Sequence, residues 1–219
     1  MVDPTAVTNF NRTDAELEEF LLFCVSVAGK TAKQISIALE KFLNTDRGDY
    51  LDHEWQHKEF GGREIVPVRC SATASPFTKI RWLSSRDRLG DAIKNAGLGQ
   101  HTKLFKAFQQ LADSKLDLRT VTTEQLEAIN GIGPKTSRYF ILHSRKTENI
   151  ACLDTHVLKY LEGLGYDIPK NPPTGKTYLR LEKAFIAHAK SLGVPTYQLD
   201  LEIWNKSSKR SGNVHNSCQ

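Results

Sequence analysis

The sequence predicts a mainly α protein, and three features lead to this prediction. Apolar residues recur at helical spacing over most of the 219 residues. One short run, REIVPVRC at residues 63–70, has the composition of a strand. Two helical segments flank INGIGPKTSRYF, residues 129–140, where each glycine would cost about 1 kcal/mol and proline about 3 kcal/mol inside a helix. The chain should therefore consist of helices joined by turns.

The first two helices are expected to form a hairpin. Residues 13–28 start with Thr13 and Glu16 at capping-box spacing, and a strongly apolar run follows them. Gly29 interrupts the pattern, and residues 31–43 resume it with apolar side chains on one helical face. This arrangement predicts two consecutive core helices.

Residues 44–77 form a long polar excursion that contains a motif of its own. Within HEWQH, residues 53–57, His53, Glu54 and His57 match the H-E-x-x-H pattern of zinc metallopeptidases. That pattern needs a stable helix and a further ligand, whereas the sequence around it supports a helix of only a few residues. We keep a zinc metallopeptidase as an alternative, and a surface insertion as the plainer interpretation.

Helical periodicity returns after the excursion. The predicted helices occupy residues 85–95, 103–116, 123–129, 135–144, 155–164, 176–192 and 197–206. The polar tail that follows, KSSKRSGNVHNSCQ, is expected to be frayed.

The charge balance suits a polyanionic partner. The chain has 30 Lys and Arg residues against 25 Asp and Glu, a formal net charge of +5, and its isoelectric point is about 9.0. A modest basic excess favours nucleic acid without requiring it.

The cysteines and the apolar runs narrow the class of protein further. Cys24, Cys70, Cys152 and Cys218 form no C-x-x-C pair, which argues against a zinc ribbon and an iron–sulfur cluster. No signal peptide and no apolar run of membrane-spanning length is present. We expect a reduced, intracellular protein, in the cytoplasm and nucleoid or in a nucleus, without a membrane partner.

The glycine-rich break predicts a helix-hairpin-helix. Gly131 and Gly133 would form the turn, and Pro134 would begin the next helix. Backbone N–H groups can approach an anion closely at glycine, and the positive end of the following helix adds to the attraction. A DNA phosphate is a natural ligand for such a turn; a plain corner between two packed helices is the alternative.

Lys135 and Asp154 are the candidate catalytic residues. A lysine at the first turn of a helix opposes the helix dipole, which favours its neutral, nucleophilic amine. The alternative is a lysine that contacts phosphate as a point charge. Asp154 follows the apolar run IACL and precedes a helix, so a structural N-cap is its alternative role. Nineteen residues separate the two, which is enough for one helix and a return of the chain to the same cleft.

INGIGPKTSRYF followed by LDTHVLKYL resembles the signature of the helix-hairpin-helix (HhH-GPD) DNA glycosylase/AP lyase superfamily. In members with both activities a lysine lies two positions after the second hairpin glycine and an aspartate lies about 19 residues later, as Lys135 and Asp154 do here. GLGQHTKLFKAF, HVLKYLEGLGYDIP and LDLEIW are most similar to the small archaeal-type 8-oxoguanine DNA glycosylases, which also lack the iron–sulfur cluster.

The resemblance implies a two-lobe fold with a cleft at the hairpin. A six-helix barrel lobe would span residues 15–146, with the helix-hairpin-helix at residues 124–144. The second helical lobe would combine residues 1–14 with residues 147–219. The protein is expected to be a monomer.

The same resemblance implies excision of an oxidised base, with 8-oxoguanine favoured, from double-stranded DNA during base excision repair. Lys135 would attack C1′ of the flipped nucleotide, Asp154 would stabilise the developing positive charge, and β-elimination would nick the strand. Oxidised pyrimidines are the alternative substrates, and a helix-hairpin-helix module that binds DNA without catalysis is the alternative function.

The resemblance also assigns binding residues. The backbone carbonyls of Glu127, Ile129 and Gly131 would hold a structural Na⁺ or K⁺, and the chemistry requires no cofactor. Trp204 and Asp200 would line the base pocket. The predicted DNA contacts are Gly131, Gly133, Lys135, Thr136, Lys30 and Lys103, with Lys33 and Arg138 as further candidates.

Overall fold

A computed structural model describes residues 1–45, 52–56, 63–67, 71, 73–147 and 149–213. Its helices are α1 (Asp14–Ser26), α2 (Ala32–Asn44), α3 (Pro76–Ser84), α4 (Leu89–Ala96), α5 (His101–Asp113), α6 (Thr123–Glu127), α7 (Pro134–Ser144), α8 (Thr155–Gly163), α9 (Gly175–Ser191) and α10 (Thr196–Asn213). Its strands are β1 (Asp52–Gln56) and β2 (Arg63–Pro67). The predicted mainly α fold is confirmed.

The predicted start of α1 is confirmed atom by atom. The Thr13 hydroxyl accepts a hydrogen bond from the Glu16 amide at 3.3 Å, and the Glu16 carboxylate accepts one from the Thr13 amide at 2.7 Å. These bonds satisfy two backbone donors that the first turn of a helix leaves unpaired. Helix α2 follows Thr31, whose side chain makes no capping hydrogen bond.

Helix α3 was not predicted from the sequence. It starts where the Ser75 hydroxyl accepts a hydrogen bond from the Thr78 amide, with Pro76 at its first position. Phe77, Ile80 and Leu83 are buried on one face. It begins inside the polar excursion assigned to residues 44–77, where the cap and the proline were the usable signals.

The excursion contains a β-hairpin. Strands β1 and β2 pair antiparallel with His53 opposite Val66, and the strand-like composition had predicted only the second of them. Because residues 52–56 form a strand, His53 and Glu54 do not lie on the helix that the zinc peptidase motif requires. His57 lies outside the described residues, as does Cys70.

The chain divides into two compact units. The first comprises Met1–Thr5, Thr13–Leu118 and Ile129–Gly131. Its buried side chains come mainly from α1 to α5, and Phe42 of α2 and Phe108 of α5 meet with ring centroids 5.5 Å apart. Burial of each such side chain stabilises the fold by about 1.5–3 kcal/mol.

The second unit comprises Ala6–Arg12, Arg119–Ala128 and Ile132–Gln219. Its core draws on α8, α9, α10 and the segment before α8, with Leu161, Leu181 and Phe185 fully buried. An ion pair from Arg138 to Glu182 of α9 and a hydrogen bond between His143 and Asp200 of α10 join α7 to this unit. The division therefore differs from the predicted lobes, which had placed α6 and α7 with the barrel and the whole of residues 1–14 with the second lobe.

Helix α10 extends beyond the predicted end of its helix. It continues to Asn213, so fraying from residue 206 was a wrong prediction up to that point. Residues 214–219, including Cys218, lie outside the described part of the chain. Cys24 and Cys152 are buried and form no disulfide. Among the helices described, none is long and apolar enough to cross a membrane.

We predict that Thr13→Ala lowers the free energy of unfolding by about 1 kcal/mol, because it removes the side-chain half of a capping box. Thr31→Ala is the matched control, since Thr31 also precedes a helix but donates and accepts no capping bond there. Urea unfolding of both variants checks this. Equal losses would show that the box contributes nothing beyond N-cap propensity.

Candidate active site

The helix-hairpin-helix forms as predicted. Helix α6 starts with a capping box between Thr122 and Gln125 and ends at Glu127. Gly131 adopts a left-handed conformation with φ of 81°, and Gly133 precedes Pro134, the first residue of α7. Six residues separate α6 from α7, the two helices contact each other, and the N-terminus of α7 lies directly after the turn.

The two hairpin glycines are required for different reasons. A Cβ atom on Gly131 would lie 2.7 Å from Cε and 2.9 Å from Cγ of Lys103, and its positive φ also disfavours any other residue. Gly133 has φ of −109°, and a Cβ atom there would meet nothing within 4 Å. The fold of the chain therefore explains Gly131 but not Gly133, whose side-chain position is open space at the start of α7.

Lys135 lies at the second position of α7 and is partly exposed. Its Nζ lies 4.7 Å from the ring centroid of Tyr139, one turn further along the helix. Tyr139 in turn meets the ring of His143 edge to face at 4.8 Å. Lys135, Tyr139 and His143 thus form one stripe along α7 at i, i+4 and i+8.

Asp154 is the N-cap of α8. Its Oδ1 accepts hydrogen bonds from the amides of His156 and Val157, each at 2.8 Å. The structural role that the sequence left as an alternative is therefore present. Both of these bonds go to one oxygen, and Asp154 and Lys135 both lie close enough to Asp200 for their charges to affect its pKa. The two candidate catalytic residues and Asp200 form one charged cluster.

Asp200 is a buried carboxyl group on α10. Burial raises its pKa, and this outweighs the hydrogen bond and the charge of His143, which act in the opposite direction. His143 Nε2 lies 3.1 Å from Asp200 Oδ2, and its Nδ1 lies 2.7 Å from the Thr8 hydroxyl. Trp204 is partly exposed and lies one turn after Asp200 on the same helical face. Their assignment to a base pocket stays a prediction.

Arg138 does not have the role that the sequence predicted. It is 8% exposed, with Nη1 2.7 Å from Glu127 Oε1 and Nε 2.8 Å from Glu182 Oε1. Its guanidinium carbon also lies 4.5 Å from the ring centroid of Tyr178. Burial acts to lower the pKa of Arg138, but the bond and charge of Glu182 raise it overall. Arg138 as a phosphate contact was therefore wrong: two carboxylates bind it inside the protein.

The other predicted DNA contacts differ in accessibility. Lys30 Nζ donates a hydrogen bond to the Leu98 carbonyl, and burial followed by the charge of Lys103 lowers the pKa of Lys30. The stem of Lys103 packs over Gly131. Lys33 is exposed, whereas Thr136 is 8% exposed, so little of its side chain is accessible. Lys30, Lys33 and Lys103 all belong to the first unit.

The predicted cation ligands lie in the turn of the hairpin. Within the described part of the chain, no hydrogen bond is donated to the backbone oxygens of Glu127, Ile129 and Gly131. Unpaired carbonyl oxygens are ligands that suit a hard monovalent cation, so the residues present fit such an ion. Among the described residues, no cluster of three or more His, Cys, Asp or Glu side chains could hold a metal.

Sequence reasoning missed Tyr139, His143, Tyr178 and Glu182 as part of this region. Tyr139 and His143 share the helical face of Lys135, so their spacing alone was a usable signal. Tyr178 and Glu182 lie on α9, more than 40 residues after Lys135. Nothing local to the chain indicates that they contact the hairpin helix.

The comparisons with known proteins agree on one kind of protein. No protein-family model matches the sequence. The chain is 26% identical over 206 residues to an 8-oxoguanine DNA glycosylase/AP lyase of Aquifex aeolicus. This alignment covers 90% of this chain and 78% of that protein. The structure is also similar to a crystal structure of the Methanocaldococcus jannaschii 8-oxoguanine glycosylase/lyase in complex with a 15mer DNA containing 8-oxoguanine. The two superpose with a TM-score of 0.60 at 20% sequence identity, and the match covers 91% of this chain and 84% of that one.

We predict that Gly131→Ala destabilises the protein by about 2 kcal/mol, because a left-handed conformation costs an L residue about 1–2 kcal/mol and the Lys103 stem must also move. Gly133→Ala should cost under about 1 kcal/mol, since only its N-cap preference is lost. Thermal unfolding of the two variants measures the difference. Equal destabilisation would contradict the separate roles of the two glycines.

Proposed function

We propose that the protein is a bifunctional DNA glycosylase/AP lyase of base excision repair. Its fold is that of the helix-hairpin-helix 8-oxoguanine DNA glycosylases, and its sequence is similar to theirs. This confirms the resemblance stated from the sequence. One observation carries the proposal. Lys135 lies at the first turn of α7, and Asp154 caps α8 two residues after Cys152, whose thiol donates to the Lys135 carbonyl at 3.6 Å. The charges of Lys135 and Asp154 also both act on the buried Asp200. A nucleophilic amine beside a carboxylate is what this chemistry requires.

In the proposed reaction Lys135 attacks C1′ of the damaged nucleotide through Nζ, and the base departs with the bonding electrons of the glycosidic bond. Asp154 stabilises the positive charge that develops on the sugar and assists deprotonation of the lysine. The covalent lysine–sugar adduct opens to a Schiff base. Loss of a C2′ proton then expels the 3′ phosphate by β-elimination and nicks the strand.

The structure offers a reason for DNA to bind at the hairpin. The side-chain position of Gly133 is open, and the first amides of α7 point outward from a helix N-terminus. A backbone phosphate there would explain a glycine that the fold does not need. Lys30 and Lys103 supply positive charge in the first unit, and the net charge of +5 supports binding to a polyanion.

The proposed substrate is 8-oxoguanine in double-stranded DNA, because both similar proteins are named for that base. A flipped base requires a pocket with a stacking surface and a few polar groups. We assign Trp204 and Asp200 to that pocket. Oxidised pyrimidines remain the second class to be tested.

Two further parts of the proposal follow from the same site. The backbone oxygens of Glu127, Ile129 and Gly131 would hold a monovalent cation that stabilises the turn and takes no part in the reaction. The protein would act on DNA inside the cell as a monomer.

The decisive test is borohydride trapping, which reduces a Schiff base to a stable covalent adduct. Duplexes carrying 8-oxoguanine, thymine glycol, uracil or an abasic site are compared with wild type, Lys135→Gln and Asp154→Asn. We expect an adduct on the 8-oxoguanine and abasic duplexes that is absent for Lys135→Gln. Asp154→Asn should retain the N-cap acceptor and fold normally while its excision rate falls at least 100-fold.

Absence of an adduct on every duplex would refute the lyase proposal. A protein that still binds DNA without trapping would then be a binding module. Adducts on thymine glycol alone would move the substrate to oxidised pyrimidines.

We also predict that Gly133→Ala weakens binding to an undamaged duplex at least fivefold, because its methyl group would occupy the position proposed for the phosphate. Gly163→Ala is the matched control, since a Cβ atom there also meets nothing within 4 Å but lies at the end of α8. Fluorescence anisotropy at fixed salt gives both dissociation constants. Unchanged affinity in Gly133→Ala would place the phosphate elsewhere.

A further inference from the structure

A buried network in the second unit connects the segments that carry Lys135 and Asp154. The residues of this network are Glu127, Arg138, Ala151, Leu153, Tyr178 and Glu182. None of them lies in the charged cluster itself. We infer that Tyr178 and Glu182 of α9 are positioning residues that fix Asp154 relative to Lys135; this inference rests on the proposed function.

The first arm of the network fixes the helix of the nucleophile. Arg138 lies one turn after Lys135 on α7, and its Nε donates to Glu182 Oε1 at 2.8 Å. Its Nη1 donates to Glu127 Oε1 at 2.7 Å, and the Ser137 hydroxyl donates to the same oxygen at 2.9 Å. Both sides of the hairpin are thereby joined to each other and to α9.

The second arm fixes the segment that leads to Asp154. Ala151, Cys152 and Leu153 are buried and belong to neither a strand nor a helix, so their backbone groups need other partners. The Ala151 amide donates to Glu182 Oε1 at 3.1 Å. The Tyr178 hydroxyl donates to the Ala151 carbonyl at 3.1 Å and accepts from the Leu153 amide at 3.0 Å.

The two arms meet at the Glu182 carboxylate and at the Tyr178 side chain. Glu182 Oε1 accepts from both Arg138 Nε and the Ala151 amide. The ring of Tyr178 stacks under the Arg138 guanidinium while its hydroxyl bonds the segment before Asp154. A direct link also exists, since the Cys152 thiol donates to the Lys135 carbonyl at 3.6 Å. Asp154 then begins α8 immediately after the fixed segment.

Because this network is buried, it depends on hydrogen bonds within the protein. Tyr178 is 2% exposed and Glu182 is 6% exposed, so water cannot replace a lost partner without entering the core. Side chains of α9 provide residues 151–153 with the hydrogen-bond partners that a neighbouring strand would otherwise provide. Because small displacements of reacting groups lower rates strongly, a loosened segment should slow the reaction before it prevents DNA binding.

The test compares Tyr178→Phe with Tyr160→Phe. The Tyr160 hydroxyl lies 2.8 Å from His188 Nε2 of α9, and among the described residues it makes no hydrogen bond to residues 151–153. Each variant therefore removes one tyrosine hydroxyl that joins α9 to another segment, residues 151–153 for Tyr178 and α8 for Tyr160. Glu182→Gln is a second variant that keeps the shape of the side chain and removes its charge.

Five quantities are measured on each variant, of which the DNA dissociation constant and the melting temperature come from fluorescence anisotropy and thermal unfolding. The single-turnover excision rate constant at saturating enzyme reports the chemistry, the borohydride-trapped adduct per enzyme reports the active fraction, and hydrogen exchange reports protection of the Ala151 and Leu153 amides. For Tyr178→Phe we expect the rate constant to fall at least tenfold, the active fraction and the DNA affinity to stay within twofold, and the Leu153 amide to exchange at least tenfold faster. Glu182→Gln should lower the rate constant at least threefold.

A residue that only stabilises the fold would lower the active fraction and the melting temperature and leave the rate constant unchanged. A Tyr178→Phe rate constant within twofold of wild type, or an equal loss in Tyr160→Phe, would overturn the inference. If wild type itself excises nothing and forms no adduct, the proposed function fails and the catalytic role of the network fails with it. Active wild type with an equally active Tyr178→Phe refutes the network alone.

Discussion

One carboxylate oxygen, Glu182 Oε1, accepts hydrogen bonds from both the guanidinium of Arg138 and the amide of Ala151. Both partners are buried, and removal of one member of a buried charged pair typically costs about 3–5 kcal/mol because the other charge remains in the core. The helix that carries Lys135 and the segment that carries Asp154 therefore depend on the same oxygen. The rest of the candidate active site is built on this fixed pair of segments.

Around that framework the charged groups differ in how strongly they are fixed. Asp154 is held by two amides at a helix start, and Asp200 by His143, which Thr8 orients from the other ring nitrogen. The two carboxylates are thus oriented by directional bonds. Lys135 lies against the face of Tyr139, an arrangement that suits a cation.

The two hairpin glycines differ in how strongly the fold requires them. Gly131 is demanded by the chain itself, through its positive φ and the stem of Lys103. Gly133 is not demanded by anything the chain provides, and its open position coincides with the helix end where an anion would be favoured. The proposed phosphate contact thus involves the glycine that the turn itself does not require.

Most of the helices, the hairpin turn and the candidate pair Lys135 and Asp154 could be predicted from the sequence, because capping residues, periodicity and glycine positions are local properties of the chain. Sequence reasoning missed α3, which begins inside the polar excursion, and it placed Arg138 on the DNA although that side chain is buried. Only the tertiary structure decided that Glu182 and Tyr178 serve Arg138 and residues 151–153. Their partners lie 25 to 44 residues away along the chain, and a hydrogen bond at that separation depends on packing, which no local pattern records.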